Sequence, residues 1–335
     1  MAHGPAVVEP ETVVVVQPNH KFEAVVIVKL TRAEILVKAF GVVNSYHPCL
    51  AGVFLCTLMK IEIVCNRSGI YGGLRRLYFI ASYLLEGGHT VAINFADKSS
   101  NSWFKHDIPE NIEIVPDVRI CPETYQCLHP TAINILYVQA QFDPPEHIFD
   151  KIITTTDYLV DVISADGYTI DYCIPYGFDG SVFKPAPEKR INTRVGYMPR
   201  KNKEEVNLIK SLLPMNLEIE FYPIDGLSEE GVVNALQSCN LFLAISPKEG
   251  FGCPPFEASL CGCLIIGYHG YGGKKWLTGE AIVPTKNPQE FVPAIIGALN
   301  GVFEEKRHKL YKLISDELTL EKEKKAWLNV INAFK

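Results

Sequence analysis

The chain is 335 residues long, with 47% hydrophobic residues, 21% charged residues and a formal net charge of −6. That length accommodates two domains of ordinary size, and the composition excludes a disordered chain. The acidic balance lacks the basic footprint of a nucleic-acid binder, and ten cysteines without a Cys-x-x-Cys pair argue for reduced, mostly buried thiols in a cytoplasmic protein.

Residues 1–58 carry apolar runs at 13–16, 24–28 and 48–59. None reaches the roughly eighteen residues of a membrane span, and no basic start leads into a long apolar core. Met59 directly precedes the first strand pattern, Lys60 to Cys65, so the functional domain is expected to begin near Met59, with residues 1–58 as an N-terminal extension of uncertain structure. Asn66 to Gly73 is a glycine-rich turn. Leu74 to Glu86 then repeats apolar residues Leu77, Ile80, Ala81, Leu84 and Leu85 on one helical face, Gly87-Gly88 ends that helix, and His89 to Asn94 is a second strand. This is one Rossmann-like unit, although its turn lacks G-x-G-x-x-G.

Residues 95–133 are polar and rich in turns, with a short strand predicted at Ile112 to Val115. Cys121, Cys127 and His129 match no zinc spacing, so no metal is expected. Asn134 to Gln139 is a further strand, followed by Ala140 to Pro145. Polar residues at the carboxyl end of a strand are where such sheets meet ligands, which makes Gln139, Gln141 and Asp143 candidate contacts, with a plain turn as the alternative. Ile152 to Ser164 reads as a strand end running into a helix, and Asp171 to Pro175 as the last strand of a first domain spanning 59–185. Tyr176 to Pro185 has the turn residues and proline of a hinge.

A second domain, 186–335, follows. Arg194 to Lys203 is a strand ending in Arg200, Lys201 and Lys203, with a helix from Glu204 to Leu213; Leu217 to Tyr222 is the next strand, and Ser228 opens the helix after it. Leu241 to Ile245 reads as a buried parallel strand, and Ser246-Pro-Lys-Glu-Gly-Phe-Gly-Cys-Pro-Pro-Phe-Glu257 follows directly. Its glycines let backbone approach a ligand closely, and its prolines suit the first turn of a helix. Strand, glycine loop and helix N-terminus together form an anion site. Glu249 and Glu257, eight positions apart, can face one cleft and offer acceptor oxygens to hydroxyl groups. Cys263 to Gly267 is a strand, His269 to Gly273 a second glycine loop, and 288–334 a charged, amphipathic helical segment with at most a weak tendency toward a membrane surface. Strands between helices indicate parallel sheets.

The run E-G-F-G-x-P-x-x-E-A-x-x-x-G from Glu249 to Gly262 resembles the E-x7-E signature of retaining glycosyltransferases of family four, which use nucleotide sugars and have the GT-B fold. The resemblance implies an α/β architecture of two Rossmann-like domains with parallel sheets facing a central cleft. It implies that Glu249 contacts donor-sugar hydroxyls, that the amides of Gly250, Phe251 and Gly252 lie by the sugar and phosphates, and that Glu257 binds the ribose. Pro175 to Pro185 is similar to the family's crossing between domains. Gly72 and Gly73 resemble the family's Gly-Gly turn beside the donor phosphates; a helix start needing close packing is the other reading. An Arg and a Lys neutralise the diphosphate in the family. Arg200 and Lys203 fit best, with Lys201 as an extra cation that leaves the choice of lysine open. Tyr137-Val-Gln139 resembles a segment of some members and puts Gln139, Gln141 and Asp143 on the acceptor side.

The implied activity is transfer of a sugar from a nucleotide-diphosphate sugar to a glycan, lipid or other hydroxyl acceptor, with retention and without a metal or cofactor. In the family the acceptor oxygen arrives on the face that the leaving group departs from, and the leaving phosphate takes the proton. Two relatives of this reading stay open: a non-catalytic nucleotide-sugar-binding subunit, and a nucleotide-sugar epimerase of the same fold. An NAD-dependent oxidoreductase is disfavoured by the missing fingerprint.

Overall fold

The structure is a computed structural model describing residues 11–14, 27–30, 58–69, 71–140, 142–145 and 147–334. The chain divides into two compact units, Met1–Met59 with Asn332–Lys335, and Lys60–Ile331. In the first, strands β1 (Glu11–Val14) and β2 (Ile27–Leu30) pair antiparallel, with Glu11 opposite Leu30.

The second unit holds two parallel sheets. The first contains β3 (Lys60–Cys65), β4 (Thr90–Phe95), β5 (Val118–Pro122), β6 (Ile133–Val138), β7 (Lys151–Thr154) and β8 (Tyr172–Cys173). Their order is β4-β3-β5-β6-β7-β8. Helix α1 (Gly72–Glu86) connects the first two strands, and α2 (Asp157–Ala165) connects the last two. Covered on both faces, the central strands bury almost every residue, which is why they read as unbroken apolar runs. Helix α1 buries Leu77, Ile80, Ala81 and Leu84 of the predicted face, and Leu74 with them, while Leu85 is only half-buried.

The strand predicted at Ile112 to Val115 does not form. Ile112 and Val115 are exposed, and the strand beside β3 is β5 instead. Asp117 decides this: its N–H donates to the Lys60 carbonyl at 2.8 Å, and its carboxylate accepts from the Lys60 N–H at 2.7 Å, so pairing starts after it.

The second sheet contains β9 (Ile191–Tyr197), β10 (Glu220–Pro223), β11 (Cys239–Ala244), β12 (Leu264–Gly267) and β13 (Val283–Pro284), in the order β10-β9-β11-β12-β13. Helices α3 (Pro199–Leu212), α4 (Glu229–Ser238), α5 (Cys253–Leu260) and α6 (Pro288–Leu299) accompany it, with Ser228 capping α4 by accepting from the Gly231 N–H. Leu241, Leu243, Leu264, Ile266 and Phe291 form the centre of its core.

Helices α7 (Glu304–Glu317) and α8 (Leu320–Asn332) end the chain, and α8 returns to the first sheet. Trp327 is fully buried there, edge-on to Tyr137 with ring centroids 5.2 Å apart. Glu323 is buried against α1, accepting from Arg76 at 2.5 Å, the Tyr83 hydroxyl at 3.1 Å and the Gly177 N–H at 2.9 Å. The Phe178 N–H donates to the Leu318 carbonyl at 2.8 Å, so the two chain passages between the sheets run side by side. Among the described residues no helix is long and apolar enough to cross a membrane.

Candidate active site

The carboxyl edges of the two parallel sheets face one another across a cavity of about 280 Å³. From the first sheet come Gly72 and Gly73 at the start of α1 and Gln139 at the exit of β6; from the second come Arg200, Lys201, Glu249, Gly250, Phe251, Gly252 and Glu257. Such an edge gathers ligand contacts because the loops leaving parallel strands open there, several of them, as after β3, β9 and β11, leading straight into a helix N-terminus.

The glycine loop is fitted to its surroundings by backbone. A Cβ on Gly250 would stand 2.4 Å from the Ala140 Cα and 2.7 Å from the Gln139 carbonyl, so this position seats the loop directly on the chain leaving β6. Gly252 has φ +80° and serves as N-cap of α5, a left-handed conformation that glycine adopts without cost. The Glu249 carbonyl accepts from the N–H groups of Tyr271 and Gly272, which fastens the second glycine loop to the first. Gly250→Ala is expected to force the loop away from β6 and to destabilise the protein by about 1–3 kcal/mol. Urea denaturation checks this, and an unchanged midpoint would mean that the two segments are not in contact in solution.

The Phe251 ring is buried, 4.6 Å from Tyr176 and nearly parallel to it, and 5.0 Å from Trp276. The loop is thereby anchored on the passage between the sheets.

The two glutamates have different partners. Glu249 pairs with Lys201 at 2.5 Å. Glu257, in the middle of α5, accepts from Arg75 of α1 at 3.3 Å. Burial pushes the Glu257 carboxyl above the ordinary carboxylate range; Arg75, then Arg76, oppose this, Glu229 adds to it, and Arg200 opposes it.

Of the expected cations, Arg200 and Lys201 line the cavity and Lys203 does not. Lys203 is exposed beyond Asn202, whose backbone is extended rather than helical and whose side-chain oxygen accepts from the Glu205 N–H, restarting the helix in a new direction. Gly72 meets open space, whereas a Cβ on Gly73 would stand 3.2 Å from the Gln139 side-chain oxygen. That oxygen accepts from the Tyr176 hydroxyl at 2.8 Å. Asp143 is exposed and does not line the cavity, and Gln141 lies outside the described residues. Among the described residues no group of three or more His, Cys, Asp or Glu side chains is arranged to hold a metal, Cys121, Cys127 and His129 included.

The residues of the cavity that the sequence reading did not single out include Arg75, Trp103, Met198 and Glu229. For Arg75 a signal existed. Arg75 at the end of the first turn of α1 and Arg76 directly after it oppose the helix dipole and demand acidic partners, which Glu229, Glu257 and Glu323 supply. Trp103 belongs to the turn-rich segment after β4, where no pattern announces a contact.

Two parallel α/β sheets with a cleft between their carboxyl edges and a C-terminal helix returning to the first sheet constitute the GT-B fold of glycosyltransferases. Residues 183–314 match the family described as "Glycosyl transferases group 1". The chain is 29% identical over 222 residues to the alpha-1,6-glucosyltransferase of Actinobacillus pleuropneumoniae serotype 7, a match covering 59% of this chain and 66% of that protein. The chain therefore spans just under two thirds of that relative. Among solved structures it resembles the sucrose-phosphate synthase of Thermosynechococcus elongatus, with a TM-score of 0.65, 11% identity, and 82% and 98% of the two chains covered. It also resembles Anabaena Alr3699/HepE in complex with UDP-glucose, with a TM-score of 0.63, 13% identity, and 82% and 100% covered.

Proposed function

We propose that this protein is a retaining glycosyltransferase of the family-four type, moving a sugar from a nucleotide-diphosphate sugar to a hydroxyl acceptor such as a glycan or a lipid. The observation that carries the proposal is the convergence of Glu249, the Gly250 to Gly252 backbone, Glu257, Arg200 and Lys201 on a single cavity. Transfer builds positive charge on the sugar and negative charge on the departing diphosphate. Arg200, Lys201 and the loop amides would stabilise the diphosphate, Arg by its fork of donors and Lys as a point charge. Lys201 is preferred to Lys203 because it already stands in the cavity.

On this reading Glu249 orients the sugar hydroxyls and exchanges Lys201 for them when donor enters, releasing that ammonium toward the phosphates. Glu257 accepts from the ribose hydroxyls. Gln139 and the Gly72-Gly73 turn close the site from the acceptor side. The leaving phosphate takes the acceptor's proton, so neither a protein base nor a divalent metal is required. Packing of the two sheet edges around the donor excludes water, the competing acceptor. The match to group 1 transferases, the likeness to a glucosyltransferase and the UDP-glucose complex of a protein with the same fold support a nucleotide-sugar donor. The eight described cysteines are all free, in keeping with a cytoplasmic enzyme.

A thermal-shift panel of UDP, GDP, ADP and dTDP tests the donor site. One of them, at a hundred times its Kd, is expected to stabilise the protein by about 2.7 kcal/mol, and Glu257→Ala or Arg200→Ala to remove most of that shift. Failure of every nucleotide to stabilise the chain would overturn the reading.

A further inference from the structure

Arg75 stands in the first turn of α1, where the helix dipole disfavours a cation, yet its guanidinium is held from several sides. Nη1 donates to Oε1 of Glu257 at 3.3 Å, and Nη2 pairs with Glu229 at the start of α4. The charged group also lies over the rings of Phe79 and Phe183, 5.1 and 5.4 Å from their centroids. Among the described residues Arg75 alone hydrogen-bonds the Glu257 carboxylate, and it does so through one oxygen. Both side chains are only 14% exposed, and both line the cavity.

We infer that Arg75 is a positioning residue for ribose recognition: it holds the Glu257 carboxylate as a charged, oriented acceptor, leaves Oε2 for the ligand's hydroxyls, and so sets the preference for ribose over 2′-deoxyribose nucleotides. This rests on the donor-site reading above and adds to it a residue from the opposite sheet. The groups facing Glu257 are Arg75 and Arg76 from α1, Glu229 from α4, Arg200 from α3, and the Cys253 thiol, pushed up to about 12 by burial and then by Glu257. Arg75 is the strongest of the cations holding the Glu257 carboxyl down against its burial. With Arg75 replaced by a neutral side chain, Glu229 and Glu257 would lose the cation that pairs with both, and Glu257, left with Arg76 and Arg200, would take up a proton at a higher pH. A protonated carboxyl loses the charge-assisted bond to a hydroxyl. Ribose preference should then fade as pH falls through the raised pKa and return as pH rises.

The test is calorimetric affinity of the full chain for UDP, GDP and ADP, each against its 2′-deoxy form, from about pH 6 to about pH 8.5. Wild type is expected to prefer the ribose form of its nucleotide by about tenfold or more throughout. Arg75→Gln should lose that preference, most completely at the acid end, and Arg75→Lys should restore it and flatten the pH profile. Glu229→Gln should keep the full wild-type preference down to the acid end of that range, which gives an answer even where Arg75→Gln does not fold. Full preference in Arg75→Gln at every pH, a weakened preference in Glu229→Gln, or equal binding of both sugar forms by the wild type would overturn the role of Arg75 while leaving a nucleotide site in place. A wild type that binds none of the nucleotides overturns the donor-site reading itself.

Discussion

Replacing Glu249 with glutamine is expected to lower donor turnover by about 10²–10³-fold while leaving nucleoside diphosphate affinity within a few-fold of wild type. On the proposed reading the two effects separate because Glu249, on the glycine loop, is assigned to the sugar, whereas Glu257 and Arg200 are assigned to the nucleotide. The amide cannot accept hydroxyls with the strength of a charged oxygen, and that loss grows as the sugar becomes cationic. The substitution also frees Lys201 from its 2.5 Å partner, which favours the diphosphate if it changes affinity at all. Release of nucleoside diphosphate from the sugar donor, with water as acceptor, gives the rate, and calorimetry gives the affinity. Equal losses in both would move Glu249 from the sugar to the nucleotide, and an unchanged rate would remove it from the chemistry.

Glu323→Ala is expected to destabilise the protein by about 3–5 kcal/mol, the largest stability effect among these predictions. The alanine would leave the Arg76 guanidinium buried with the Gly177 carbonyl, at 2.9 Å, as its one hydrogen-bond acceptor among the described residues, besides the Phe79 and Tyr176 rings it lies over, and would strand the Tyr83 hydroxyl and the Gly177 N–H. Burial pushes the Glu323 carboxyl upward, and Arg76, the Gly177 N–H and the Tyr83 hydroxyl draw it back, so its charge depends on all three partners. A paired Arg76→Met, Glu323→Leu variant should recover most of the loss, because a buried ion pair contributes little net stability once neither charge remains. Urea denaturation followed by tryptophan fluorescence measures both, since Trp327 lies on the same helix. An alanine variant with a wild-type midpoint would show that Arg76 reaches water and that α8 is not tied to α1 by this network.

Much of the fold was legible because its strands are buried on both faces. Leu241 to Ile245 reads as a strand from its apolar run alone, and it lies in β11 and the residue after it. The glycine-proline box after it is legible for a related reason. A left-handed Gly252 and prolines in the first turn of α5 are local backbone requirements, and local requirements leave their mark on adjacent residues. The false strand at Ile112 to Val115 marks the limit of that logic. Two short apolar runs of similar pattern lie within ten residues, and a side chain-to-backbone pairing across 57 positions, Asp117 with Lys60, selects between them.

Most of the strands and helices, the glycine-proline loop and the spacing of its two glutamates were therefore determined by the sequence itself, since each rests on residues within a turn or two of one another. Which cation serves which glutamate was decided only by the tertiary structure. Arg75 meets Glu257 across 182 residues and Arg76 meets Glu323 across 247, while the break at Asn202 brings Lys201 and not Lys203 to Glu249. Charge carries no periodicity and acts through space, so these pairings exist only once two sheets and a returning helix have been brought together.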